Sequence, residues 1–129
     1  MLKQFKNILL QYLYDYKIRL EDASFLLSFS GGIDSTTMAS LLLKMRGVYS
    51  FKLGLIHFNH HSHYKSDSIE NFCLNYSLDN NVRLHQHDLF FETNNNFEAL
   101  ARERRYLILN DISHQYNYQF ILTAHHRDD

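Results

Sequence analysis

Four short apolar runs alternate with stretches of helical periodicity, and that alternation constrains the fold more than any other feature of the chain. The runs are "SFLLSF" (24–29), "FKLGLIHF" (51–58), "NVRLHQH" (81–87) and "QFILTA" (119–124). The first is continuous, as in a strand buried on both faces. Between and before them, apolar residues recur at i, i+3 and i+4. Residues 3–17 predict an amphipathic helix through Phe5, Ile8, Leu9, Tyr12, Leu13 and Tyr16. Residues 35–46 predict a second, ended by Gly47. Residues 66–79 predict a third with Ile69, Phe72, Cys73, Tyr76 and Leu78 inward, and residues 97–116 a long fourth capped by "NNNF". Strands alternating with helices of this length imply βαβ units with right-handed crossovers. The predicted fold class is therefore α/β, a Rossmann-like parallel sheet with helices on both faces. No repeat and no domain linker is visible.

A sheet of this kind places its ligand at the carboxyl ends of its strands. Those ends are "SFSGG", "HFNHH", "HQHD" and "TAHHRDD", where the unusual polar residues collect. Composition narrows the ligand classes only slightly. The 129 residues suffice for one domain, and a net charge of −1 carries no overall nucleic-acid footprint. Cys73 is the single cysteine, so no intramolecular disulfide can form and a reducing, cytoplasmic compartment is expected. No apolar stretch approaches the ~20 residues that span a bilayer, so no membrane partner is expected.

The bend "SFSGGIDSTT" (28–37) joins the first run to a helix. Gly31 and Gly32 allow positive φ and close backbone approach. The following helix offers free N–H groups and a positive dipole end, and Ser30, Ser35 and Thr36 add hydroxyls, together a site for an anion. The pattern is neither a Walker loop, since it lacks the lysine, nor G-x-G-x-x-G. Asp34 beside a phosphate makes sense with a Mg²⁺ between them. A plain strand-to-helix turn with Asp34–Ser35 as its cap would use the same residues, and the bend alone does not separate the two.

Four motifs carry a resemblance. "SFSGGIDST" is similar to the SGGxDS signature of the PP-loop ATP pyrophosphatases. "LIHFNHHSH" (55–63), "NFEALARERRY" (96–106) and "LTAHHRDD" (122–129) resemble, in the same order, segments of the tRNA(Ile)-lysidine synthetase family within that superfamily. The resemblance implies ATP and Mg²⁺ as cofactors, L-lysine and the tRNA(Ile) with a CAU anticodon as partners, and leaves room for a homodimer. The implied reaction adenylates the wobble cytidine with release of diphosphate, and lysine then displaces AMP. Ser30, Gly31, Gly32, Ile33, Asp34 and Ser35 would surround the pyrophosphate, with Asp34 near Mg²⁺ as its metal contact. Adenosine would lie across Phe29 and His57–Asn59. Catalytic roles would fall to Asp34, Arg105, His125 and Asp129. The family pattern continues past Asp129 with Glu-Thr. Residues 1–129 would thus be the N-terminal PP-loop ATP-binding domain of a longer enzyme, the C-terminal tRNA-binding domains being absent and the piece alone inactive. Other readings are a thiolating or amide-forming PP-loop enzyme, or a nucleotide-binding piece without activity. A thiolating enzyme would be expected to show paired cysteines.

Of the clustered arginines, Arg102 suits a solvated face with Glu98 and Glu103. On a helical wheel with Phe97, Leu100, Ala101, Ile108 and Ile112 inward, Arg104 falls near mid-stripe and Arg105 at its edge. The resemblance makes Arg105 the functional one, contacting a phosphate or the surroundings of lysine. His57, His60, His61 and His63 crowd a strand end, yet lack the thiolates or carboxylate geometry of a typical zinc site. The family usually has arginine at His63. His85, His87 and His114 are expected to be ordinary strand or surface residues, and Cys73 a small core hydrophobe.

Overall fold

A central strand, β1 (Ser24–Ser28), pairs on one side with β2 (Lys52–Asn59) and on the other with β4 (Phe120–Thr123). Strand β3 (Arg83–Asp88) continues the sheet beyond β2, giving the order β3-β2-β1-β4, all parallel. The computed structural model describes residues 1–61, 63–90 and 97–124, with only the backbone of Phe97. The helices are α1 (Leu2–Asp15), α2 (Ile33–Tyr49), α3 (Ser66–Asp79) and α4 (Phe97–Tyr116). The sheet is the α/β parallel arrangement that the alternating runs predict.

Side-chain alternation along the strands sorts the core into two layers. Phe25, Leu27, Leu53 and Leu55 face Leu9 and Leu13 of α1, Ala39, Leu42 and Met45 of α2, and Cys73 of α3. Leu26, Ile56 and Phe58 face the opposite way, against Leu109 and Ile112 of α4. Phe25, Leu26 and Leu27 are all fully buried, each worth about 1.5–3 kcal/mol of transfer from water. Helices α2 and α3 thus cover one face as the chain steps from β1 to β2 to β3. Helix α4 returns across the other face to reach β4. The order reverses at β1, the position where such sheets open a crevice.

Ser24 fixes the return. Its backbone N–H donates to Gln119 Oε1 (3.1 Å), its hydroxyl donates to the Asn117 carbonyl (3.0 Å), and the Gln119 N–H donates to its Oγ (2.8 Å). A buried serine at the first position of β1 therefore sets the register of a strand some ninety residues later.

Several sequence expectations need correction. Gly47 does not end α2: the helix runs on to Tyr49, and Ser50 supplies the left-handed cap at φ 58°, its N–H donating to Arg46 O. One interior glycine costs only about 1 kcal/mol, which the buried turn around Met45 outweighs. Leu78 is 70% exposed, and the inward phase of α3 runs through Cys73 and Ser77 instead. The third strand starts at Arg83, because Asn81 adopts φ 51° and belongs to the turn. On α4 the inward positions are Ala101, Arg105, Ile108, Leu109 and Ile112. Arg105 therefore lies mid-stripe, while Arg104 and Leu100 are exposed. Phe97's side chain lies outside the described residues.

His85 lies in a strand, one of the two places expected for it, but it is buried there. It is hydrogen-bonded through Nε2 to Tyr118 Oη at 2.9 Å, and packed against the Tyr116 ring at 4.6 Å. Burial, with Arg83, His87 and Lys52 nearby, pushes its pKa down to about 4. The Tyr118 hydroxyl reaches over β2 so closely that a Cβ at Gly54 would lie 2.1 Å from it.

Candidate functional site

The bend after β1 is shaped by one left-handed residue. Gly31 takes φ +87°, and a Cβ there would meet Ile69 Cγ2 at 2.9 Å and Cys73 Sγ at 3.1 Å. Only glycine fits such a backbone pressed onto α3. Gly32 differs: its φ is −79°, and a Cβ would meet only Ser30 Oγ at 3.4 Å. The positive-φ requirement expected of both glycines belongs to Gly31 alone.

Two serines brace the loop from within. Ser35 Oγ accepts from Ser30 N–H (3.2 Å), and the two hydroxyls lie 3.0 Å apart. Ser30 Oγ in turn accepts from Gly32 N–H at 3.2 Å. Ser35 is buried, so its hydroxyl shapes the bend. Gly32 is the N-cap of α2 and supplies no side-chain cap, and Asp34 is not the cap but sits exposed in the first turn. The N–H groups of Ile33, Asp34 and Ser35 open the helix, where no i−4 carbonyl exists for them. The result is a ring of backbone donors at a positive helix end, beside a bend with no side chain in the way.

Next to the bend, a cavity of about 210 Å³ opens over the carboxyl ends of β1 and β2. Its lining includes Ser30, His57, Asn59, His60, Ser66 and Arg105. His57 Nδ1–H donates to the Phe29 carbonyl at 2.9 Å and approaches Cys73 Sγ at 3.5 Å. The Phe29 ring packs against Phe72 and Tyr76, which holds the last residues of "SFS" in place. Asn59 is buried; its amide donates to Asp67 and Glu70 at 3.3 Å each, and its Oδ1 accepts from His61 N–H. Arg105 reaches the cavity from α4, on the other layer of the fold.

Charge in the cavity is set by burial and by that arginine. His60 titrates below the usual imidazole range, first through burial, then through Arg105 and His57. Burial, with Glu70 adding to it, pushes the Cys73 thiol up to about 12, so under the loop it packs as a neutral hydrophobe. The crowded histidines take separate partners: His57 the Phe29 carbonyl, His61 the Asp88 carboxylate at 2.8 Å, and His63 the Lys65 N–H at 3.1 Å. Among the described residues no three His, Cys, Asp or Glu side chains converge on a metal position. Asp34, exposed in the first turn, is an oxygen donor of the kind Mg²⁺ accepts while keeping most of its water.

The whole chain, residues 1–129, matches the PP-loop domain family. The chain belongs to that family. This PP-loop domain is also similar to curated proteins named tRNA(Ile)-lysidine synthase. It is 34% identical over 109 residues to one from Aster yellows witches'-broom phytoplasma, covering 82% of this chain and 23% of the relative. It is 31% identical to one from Buchnera aphidicola, covering 84% and 24%. It is 32% identical to one from Nostoc, covering 81% and 30%. The chain thus spans between about a quarter and a third of the length of these relatives.

Within the PP-loop domain, the expected residues Ser30, Gly31, Gly32, Ile33, Asp34 and Ser35 form one bend, and Arg105 shares the adjoining cavity with His57 and Asn59. His125 and Asp129 lie outside the described residues. Sequence reasoning missed His60 and Ser66 as cavity lining, and Ile69 with Cys73 as the seat of Gly31. The i, i+4 spacing of Ile69 and Cys73 marked an inward stripe, but nothing in the sequence said that the stripe faced a loop. No described helix is long and apolar enough to cross a membrane.

Proposed function

We propose that this PP-loop domain binds ATP and works within a tRNA(Ile)-lysidine synthase, activating the wobble cytidine of a CAU-anticodon tRNA for attack by L-lysine. The observation that carries this reading is Gly31, left-handed and seated on α3, beside the uncapped start of α2. Backbone donors there suit the β- and γ-phosphates of ATP, and the bare glycine lets phosphate oxygens approach closely. The cavity over His57 and Asn59 suits the adenosine.

The steps balance as two displacements. The cytidine 2-carbonyl oxygen attacks the α-phosphorus, the bond to the bridging oxygen breaks, and diphosphate leaves. The lysine ε-amine then attacks the activated ring carbon, AMP leaves, and the amine sheds its extra proton. The donors around Ser30–Ser35 hold the departing diphosphate, where charge develops. Arg105 offers a planar, always-charged donor fork toward a phosphate. Asp34 would hold Mg²⁺, which neutralises phosphate charge when bound. His125 and Asp129 are assigned to the lysine side of the reaction by their motif.

Diphosphate release from ATP, measured with tRNA and lysine added singly and together to the full-length enzyme, tests this. Release needing tRNA, and AMP release needing lysine as well, is the expected result. ATP binding without tRNA-dependent release would overturn the assignment while leaving a nucleotide-binding domain. Sulfur transfer to the tRNA would move it to a thiolating enzyme.

A further inference from the structure

Two exposed aromatic rings stand on histidines beside the cavity. Phe90, 72% exposed, lies flat on His61 with centroids 4.5 Å apart and planes 9° apart. Tyr64, 85% exposed, lies on His63 at 4.5 Å and 28°. Large rings this exposed are normally held loosely, yet both imidazoles are fixed. His61 bonds Asp88 through Nε2 at 2.8 Å, and its backbone N–H, at φ 55°, donates to Asn59 Oδ1. His63 Nδ1 accepts the Lys65 N–H, and its own N–H donates to Ser66 Oγ at 3.2 Å. The same chain segment contributes His60 and Ser66 to the cavity lining. Phe90 lies two residues after the end of β3, on the same edge of the sheet.

The geometry points to a stacking platform for unpaired nucleobases of single-stranded RNA, formed by Tyr64 on His63 and Phe90 on His61 beyond the carboxyl ends of β2 and β3. Each ring is stacked on a fixed imidazole and is otherwise largely exposed, and exposed aromatic rings are what proteins use to hold unstacked bases. The Lys65 ammonium lies 5.6 Å from the Tyr64 centroid, where it can meet a phosphate while the ring meets a base. Of the neighbouring acids, Asp88 is hydrogen-bonded to His61 Nε2, and Asp67 lies 4.0 Å from His61 Nδ1. Two rings set among charged side chains suit flat bases better than the continuous apolar face that a protein partner would bury. The inference rests on the proposed tRNA substrate and adds where its loop would be gripped.

The test uses an RNA hairpin with a CAU-containing loop, carrying 2-aminopurine beside the CAU, and the full-length enzyme. Tyr64→Ala and Phe90→Ala should each weaken hairpin binding about ten-fold and restore 2-aminopurine fluorescence. Tyr64→Phe and Phe90→Trp should bind as the parent does. ATP affinity should be unchanged throughout. Unchanged hairpin affinity in both alanine variants would overturn the platform and leave the proposed function standing. Full binding by Tyr64→Leu and Phe90→Leu would replace stacking by plain apolar contact, and a parallel fall in ATP affinity would reassign the rings to the ATP base; either overturns the inference. Absence of hairpin binding by the parent enzyme would overturn both the platform and the tRNA reading.

Discussion

Gly31 rests on Cys73: a methyl group at Gly31 would lie 3.1 Å from the Cys73 sulfur, in a backbone already turned to φ +87°. The bend is therefore shaped from below by α3 as much as by the left-handed Gly31 itself. This separates the neighbouring glycines experimentally. Gly31→Ala should cost about 1–3 kcal/mol of stability and lower ATP affinity at least ten-fold, because the loop must rise off Ile69 and Cys73. Gly32→Ala has ordinary φ and loses only glycine's advantage over alanine at an N-cap, so it should be destabilised less than Gly31→Ala. Thermal unfolding and calorimetric ATP titration of both variants check this; equal losses would show that the α3 seat does not matter.

Arg105 and Arg102 provide a second contrast. Arg105 lines the cavity, whereas Arg102 is exposed beside Tyr106, its guanidinium 5.7 Å from the ring centroid. Arg105→Ala should lower ligation by two or more orders of magnitude, on the order of 3 kcal/mol of lost stabilisation. Arg102→Ala should cost less than three-fold, as expected for an exposed side chain. Steady-state rates of AMP release from the full-length enzyme discriminate between them, and a greater loss at Arg102 would refute the assignment.

Asp34 is exposed in the first turn of α2 and caps nothing. Asp34→Asn should lower the melting temperature by no more than about 5 °C, since only a dipole interaction of about 0.3–1 kcal/mol is lost. Diphosphate release should fall sharply at low Mg²⁺ and recover partly as Mg²⁺ rises. Parent-like turnover at low Mg²⁺ would remove Asp34 from the metal.

The buried His85 makes stability depend on pH. Its folded pKa, about 4, lies below the ordinary imidazole value of 6.5, so the unfolded chain binds the proton more readily. The contribution is fully present above pH 6.5, declines as pH falls toward 4, and stays lost below that. His60 is shifted in the same direction and adds to the slope. Urea midpoints across this window should fall with pH in the parent, and His85→Gln should flatten the decline. An unchanged slope in the variant would mean that His85 is not the group responsible.

Gly54 and Tyr118 give a prediction remote from the site. Gly54→Ala places a carbon 2.1 Å from the Tyr118 hydroxyl and 2.6 Å from its ring carbon. The ring must move and release His85, costing about 1–3 kcal/mol as overpacking does. Combining it with Tyr118→Phe should recover little, because the ring carbon still collides; full recovery would place the strain in the hydroxyl alone.

The sequence disclosed most of the framework through local signals. Continuous apolar runs marked β1 and β2 because both faces of those strands are covered, and the glycine pair marked the tight bend because Gly31 takes a backbone conformation that other residues rarely adopt. What escaped was set by distant packing. Arg105 was placed at the edge of the α4 stripe and Arg104 within it, since a wheel cannot tell which of two adjacent cations a cavity will accept. His85 looked ordinary because its partner Tyr118 lies 33 residues away. Gly47 looked like a helix end, yet the signal that mattered was the left-handed Ser50, a residue type with no strong claim to that conformation.

The position of β4 sets a timetable for synthesis. Strand β1 pairs with β2 soon after the latter emerges, but its other neighbour begins at Phe120, 92 positions beyond Ser28. At translation rates of about 5–20 residues per second, β1 waits roughly 5–20 s with one edge unpaired. During that interval the glycine bend and its α3 seat can form, while Arg105 has no docked helix to carry it. A nascent chain therefore acquires its glycine bend before the arginine of the adjoining cavity, and the open edge of β1 is the place where a stalled ribosome would expose it to aggregation.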